Sequence, residues 1–93
     1  MNVYVWKQAR GGKTYSLQID SNKGGIRAFN RAVKVAEEGG WTHIGGTGPT
    51  TGSAMTLLFT KSFDDEELLK GWAKSLPYKV LYEGTNGKQR FIG

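Results

Sequence analysis

Four basic side chains recur at a spacing that places them on one face of a helix. The four residues are Lys23, Arg27, Arg31 and Lys34. They are separated by four, four and three positions, and an α-helix makes one turn about every 3.6 residues. The opposite face is apolar and consists of Ile26, Phe29, Val33 and Ala36. Such a helix would pack its apolar side on a core and leave its cations free for an anionic partner.

Further cations surround the predicted turn between the first two strands. They are Lys7, Arg10 and Lys13. Residues 1–34 carry seven Lys and Arg against one Asp, for a charge of +6, whereas residues 35–93 carry six Lys and Arg against seven Asp and Glu, for −1. The basic half is therefore the predicted contact surface for nucleic acid or for an acidic protein. A net charge of +5 is also ordinary for a domain that only needs to be soluble.

Aromatic side chains lie next to these cations in both terminal hairpins. The rings are Tyr4, Trp6 and Tyr15 near the N-terminus and Tyr78, Tyr82 and Phe91 near the C-terminus. Nucleobases stack on sheet aromatics while Lys and Arg neutralise the phosphates. The same rings would also supply much of the core of so small a chain. Which face of the sheet is exposed decides between the two interpretations.

A segment rich in Gly, Thr and Ser is a second candidate for a contact site. It covers residues 45–53 and includes Gly45, Gly46, Thr47, Gly48, Thr50 and Thr51. Phosphate-binding loops carry a Lys and lead into a helix. This segment has no Lys and leads into an apolar stretch. The pattern therefore favours a contact loop or a plain connection over a nucleotide site.

The single histidine, His43, directly precedes this segment. Histidine titrates near neutral pH and could act as a general base while the loop holds a phosphate. The chain has no cysteine nucleophile, and no carboxylate lies near His43 in sequence. We therefore predict no catalytic residue, and a hydrolase or nuclease that uses His43 remains the least favoured alternative.

The composition excludes several classes of site. Cysteine is absent, which removes disulfides, thiolate chemistry and sulfur-ligated zinc. The acidic run at residues 64–67 is explained by its place in the first turn of a helix. We expect no metal and no cofactor. The N-terminus lacks the features of a signal peptide, and no apolar run reaches the roughly 18–20 residues of a membrane span, so a cytoplasmic location without membrane contact is expected.

The elements that would position these residues follow from periodicity. The predicted order is strands 2–8 and 14–19, a helix ending near Glu38, strands 41–44 and 54–61, a second helix, and strands 78–82 and 88–92. The short turns predict antiparallel pairing, with both helices on one face of the sheet. The fold class is therefore α+β, in one domain spanning 1–93, with the order β-β-α-β-β-α-β-β.

The second helix has the clearest predicted start. Asp64 and Glu67 fit a capping box, and Phe63 and Leu68 fit the accompanying hydrophobic contact. Pro77 ends the helix. The residues predicted to face the core are Leu68, Leu69, Trp72 and Leu76.

These observations favour a small non-enzymatic basic binding protein. It would contact the phosphate backbone of nucleic acid through helix 23–34 and hairpin tip 10–13. The first alternative is a small inhibitor or adaptor, of the kind found in phages and mobile elements, that docks on an acidic surface of a larger protein or nucleoprotein complex. The second alternative is the enzyme built on His43.

Overall fold

The protein folds as one six-stranded sheet with two helices. The computed structural model describes residues 2–8, 12–21, 26–47, 56–83 and 89–92, without the side chains of Ile26, Thr47 and Arg90. The elements are β1 Asn2–Lys7, β2 Thr14–Asp20, α1 Ile26–Glu38, β3 Thr42–Thr47, β4 Thr56–Ser62, α2 Glu66–Lys74, β5 Val80–Glu83 and β6 Gln89–Ile92. The strand order is β3-β4-β2-β1-β5-β6. The predicted α+β class is confirmed.

The sheet contains one parallel pair. The pairings β1–β2, β3–β4 and β5–β6, which connect neighbouring strands, are antiparallel as predicted, and β2–β4 is antiparallel too. β1 pairs with β5 in parallel, with Val5 opposite Tyr82, so the sheet is mixed and the prediction of a wholly antiparallel sheet is wrong. The parallel pair follows from the connections. The α2 crossover takes the chain from β4 past β2 and β1, so that β5 runs in the direction of β4. Since β1 also runs in that direction, β5 has to pair with it in parallel.

Both helices pack on the same face of the sheet, as predicted. Residues opposite each other in register share a face, and Val5, Leu17 and Phe59 form such a row across β1, β2 and β4. All three are buried, in one cluster with Phe29 of α1 and Leu69 of α2. The core therefore lies between this face and the helices.

The amphipathic pattern of α1 explains its orientation. Phe29, Ala32 and Ala36 are buried at spacings of three and four. Gly40 ends the helix with a φ of +89°, a left-handed conformation that favours glycine. A Cβ on Gly39 would lie 2.8 Å from Trp72 Nε1, so this glycine lets the end of α1 approach α2.

Aromatic rings join the ends of the two helices to the sheet. Trp41 lies 5.6 Å from Phe63 and 5.2 Å from Trp72, measured between ring centroids, and Tyr15 meets Phe63 edge-on at 5.8 Å. Tyr15 and Tyr82 are both buried in the core. The core interpretation is therefore correct for these two rings, which cannot stack on a base.

The start of α2 lies one residue later than predicted. The cap is Asp65, whose carboxylate accepts a hydrogen bond from the backbone N–H of Leu68 at 3.1 Å. Asp64 precedes the cap and is exposed. Because the helix begins at Glu66, the side chain of Leu68 turns outward and is 53% exposed, so the predictions that Asp64 is the cap and that Leu68 faces the core are wrong.

Replacing each of the two neighbouring aspartates should show which of them caps α2. We expect Asp65→Ala to lower the free energy of unfolding by about 1 kcal/mol, because one N–H at the start of α2 loses its acceptor. Urea unfolding followed by tryptophan fluorescence measures this change. Asp64→Ala is the matched control and should have little effect, and equal losses in the two variants would contradict the assignment of the cap.

Candidate functional site

Three of the predicted cations form a row on the outward side of α1. Arg27, Arg31 and Lys34 are all exposed, and they are called the basic stripe from here on. The stripe is about 10 Å long, since a helix rises about 1.5 Å per residue. Within the described part of the chain, no carboxylate pairs with any of the three. Lys23, the fourth predicted member, lies outside the described residues.

The charges of α1 oppose the stability of the helix. Arg27 lies in the first turn, where the partial positive charge of the helix dipole disfavours a cation, and Glu37 and Glu38 lie in the last turn, where it disfavours anions. Arg27 and Arg31 also repel each other at a spacing of four. In contrast, α2 has two glutamates in its first turn and a lysine in its last. Helix stability therefore accounts for the charges of α2 but not for those of α1.

The cations of the first hairpin lie at one end of the sheet. Lys13 is exposed, and Lys7 is half-buried with its Nζ 5.9 Å from the centroid of the Tyr15 ring. Arg10 lies outside the described residues. This is the end of the sheet where α1 finishes, whereas Arg27 lies near the other end. The stripe runs between the two ends of the sheet, so its cations and those of the hairpin do not make one compact pocket.

Lys61 is a cation whose role the sequence analysis missed. Its Nζ donates a hydrogen bond to the carbonyl of Gly39 at the end of α1 and lies 4.9 Å from the centroid of the Phe63 ring. A cation in this place is favoured by the negative end of the helix dipole. It also lies opposite Tyr15 in the β2–β4 register. The contact between Lys61 and the end of α1 can be recognised only when the strand register is known, because Lys61 is 22 residues from Gly39 in the sequence.

The glycine-rich segment begins inside β3 and not in a loop. Gly45, Gly46 and Thr47 pair with β4, after a bulge between His43 and Gly45. Gly46 has a φ of +153°, and a Cβ there would clash with the carbonyl of Thr56. The sheet itself thus requires this glycine, and the prediction that residues 45–47 belong to a loop is wrong, whereas their role as contact residues stays a prediction. The remaining predicted contacts, Gly48, Thr50 and Thr51, lie outside the described residues.

His43 is exposed on β3 and contacts one ring. Its imidazole lies 5.5 Å from the centroid of Phe59. Among the described residues, no carboxylate or hydroxyl makes a hydrogen bond to it. The alternative in which His43 acts as a general base beside the segment 45–53 therefore stays untested.

The sheet face away from the helices carries a second surface, which we call the open face. Its side chains include Tyr4, Trp6, Gln18, Leu58, Leu81 and Phe91. Phe91 is 66% exposed, and the others are half-buried. No described helix lies on this face. Tyr4 and Trp6 are therefore surface rings, in contrast to Tyr15.

Two shallow depressions of about 340 and 320 Å³ lie on the open face. Tyr4 and Leu81, which are opposite in register, form the ridge between them. Glu83 lines the first depression, and Lys79 and Tyr78 line the second. Burial raises the pKa of Tyr78 above its usual value of 10.0, so its phenol is neutral at physiological pH.

The open face has a different charge from the basic stripe. The charged side chains that the described strands place on it are Asp20 and Glu83, both acidic. Asp20 accepts hydrogen bonds from Gln18 and Thr56, at 3.1 and 2.8 Å. Since the helices lie between the two surfaces, a short ligand cannot touch the rings of the open face and the stripe together.

Comparisons with known proteins add no constraint on the function. No family model matches this chain, and neither a curated protein nor a solved structure is similar to it. The described residues contain no group of three or more acidic or histidine side chains placed to hold a metal ion. Neither described helix has the length and apolar character needed to cross a membrane. The function therefore has to be argued from the two surfaces.

Charge reversal should stabilise α1 at one end and destabilise it at the other. We expect Arg27→Glu to raise the free energy of unfolding by about 0.5–1 kcal/mol, because the new carboxylate suits the dipole and attracts Arg31. Lys34→Glu is the control and should lower it slightly, because the new charge repels Glu38 four residues later. Urea unfolding at low salt measures both, and a loss of stability in Arg27→Glu would contradict this description of α1.

Proposed function

We propose that this protein is a non-enzymatic nucleic-acid-binding protein that contacts the phosphate backbone through the basic stripe. The observation that carries the proposal is the set of three exposed cations on α1 that no described carboxylate neutralises. The positions of Arg27 and Arg31 cost helix stability, so a role in binding gives a reason for them that folding does not.

The arrangement of the cations suits a linear anion. Arg27, Arg31 and Lys34 form a straight row along about 10 Å of helix, and Lys13 continues the positive charge at the far end of the sheet. A small anion would reach one or two of these side chains, whereas a phosphate backbone follows all of them. Lys23 and Arg10 extend this row in the sequence and belong to the proposal.

The binding that follows from this surface depends on phosphate and little on sequence. The rings of Tyr4 and Trp6 lie on the other side of the molecule, and Glu83 beside them disfavours a polyanion. Base stacking therefore has no part in the proposal. Affinity should fall with salt, with a log–log slope of about −3 for the three stripe cations on duplex DNA.

A second candidate function assigns the same stripe to an acidic protein surface. The observation that favours it is the open face, which gives the molecule a second surface of different chemistry opposite the first. A small adaptor or inhibitor of a nucleoprotein complex would use two such surfaces. A competition experiment separates the two candidates. Free nucleic acid should displace nucleic acid bound at the stripe, but it should not displace an acidic protein bound there.

Reversal of one stripe charge should weaken nucleic-acid binding. We expect Arg31→Glu to raise the Kd for a fluorescent duplex roughly tenfold and to reduce the magnitude of the salt slope by about 1, because one phosphate contact is lost. Fluorescence anisotropy at several salt concentrations measures both quantities for DNA and RNA, single- and double-stranded.

The matched control is Lys74→Glu, an exposed cation of α2 whose reversal changes the net charge by the same amount. We expect its Kd to change less than about threefold, because only the long-range field is altered. Equal weakening by both variants would mean that net charge alone acts, and undetectable binding of the wild type at low salt would overturn the proposal.

A further inference from the structure

The open face presents apolar side chains that no described helix covers. Phe91 is 66% exposed and lies beside the ridge of Tyr4 and Leu81, with a depression on either side. Contiguous exposed patches of several hundred Å² generally mark an interaction site. The size and charge of this face indicate which partner it fits.

The charges at the two ends of β5 are opposite and lie on the same side of the sheet. Lys79 directly precedes β5 and lines one depression, and Glu83 ends β5 and lines the other. Both are exposed, and neither is in an ion pair among the described residues. They are separated by four strand positions, or about 13 Å. Leu81 lies midway between them.

We propose that the open face binds the open face of a second copy of this chain. The two-fold axis of this dimer would lie between the two sheets, perpendicular to the strands, and would cross β5 at Leu81. The β5 strands of the two copies would then be antiparallel. Glu83 of each copy would then lie over Lys79 of the other copy and form two equivalent ion pairs. Stacked sheets keep their strands within about 30° of each other, and side chains of this length bridge the resulting offset.

The area of this face is sufficient for a dimer of modest affinity. Six strands at about 4.8 Å spacing and about 5 residues each give a projected area on the order of 500 Å². Specific interfaces bury roughly 800 Å² per partner, so this face would give a dimer at the small end of that range. Phe91, which is opposite Leu81 in the β5–β6 register, would lie close to the same axis and pack against Phe91 of the opposite copy. The interface does not use the basic stripe, so this inference is independent of the proposed function.

Other partners fit this face less well. Its strand carboxylates, Asp20 and Glu83, would repel a nucleic-acid backbone. A two-fold axis running along β5, in contrast to the one proposed, would bring Glu83 against Glu83. The charges therefore favour a second copy in the antiparallel arrangement.

Sedimentation velocity from about 5 to about 500 µM tests the dimer through its dependence on concentration. We expect the mass to rise from that of the 10.2 kDa chain to twice that value. Glu83→Lys and Lys79→Glu should each raise the dimer Kd roughly tenfold, because each places like charges together. Circular dichroism would verify that these exposed substitutions leave the fold unchanged.

A mixing experiment makes the test specific to the proposed geometry. The Glu83→Lys variant mixed with the Lys79→Glu variant should form a heterodimer, since each ion pair then joins opposite charges again. The double variant Glu83→Lys/Lys79→Glu should self-associate like the wild type. Weakened self-association of each single variant together with both recoveries identifies the antiparallel arrangement, because in the parallel arrangement the single variants would associate no more weakly than the wild type.

Truncation of the exposed ring gives a second, charge-independent arm. Phe91→Ser should weaken the dimer roughly tenfold, whereas the control Leu68→Ser, at a similarly exposed position on α2, should not. A wild type that stays monomeric at every concentration overturns the inference. A dimer whose Kd none of these open-face variants changes also overturns it. A monomeric protein whose oligonucleotide binding is lost in Trp6→Ala overturns it too, because the open face would then bind nucleic acid.

Discussion

The handedness of two crossovers determines which surfaces this protein exposes. The connection from β2 through α1 to β3 moves in one direction across the sheet, and the connection from β4 through α2 to β5 moves in the other. Because β2 and β4 are antiparallel, two crossovers of the same right-handed sense place their helices on the same side of the sheet. Two helices then enclose one core, and in the described part of the chain no helix covers the opposite face of the sheet.

The layered arrangement separates two chemistries that are mixed in the sequence. In the first hairpin, Lys7 and Tyr15 turn towards the helices, whereas Tyr4 and Trp6 turn away from them. In this hairpin the cation Lys7 therefore lies on the helix side, and the rings of Tyr4 and Trp6 lie on the open face. A single surface that combines rings and cations would suit single-stranded nucleic acid. This fold offers a cationic helix for phosphates on one side and an apolar sheet surface on the other.

Local patterns predicted much of the fold but not the sheet register. The end of α1 at Gly39 and Gly40, its buried face and the α+β class follow from spacing and turn chemistry. The observed cap is Asp65 and not the predicted Asp64, because adjacent aspartates give the same signal in sequence. Only the packing of Leu69 decides the phase of the helix. The place of Gly46 in β3 depends on its pairing with β4, and the role of Lys61 depends on contacts across the sheet. Such long-range contacts have no signature in one sequence.

The most direct test of the separation of the two surfaces is a titration of the ¹⁵N-labelled protein with a short DNA duplex, followed by NMR. The account predicts that amide signals of α1 around Arg27, Arg31 and Lys34 shift, while the indole N–H of Trp6 and the amides of β5 do not. Shifts concentrated at Trp6 and Leu81, with α1 unchanged, would contradict it and place nucleic-acid binding on the open face.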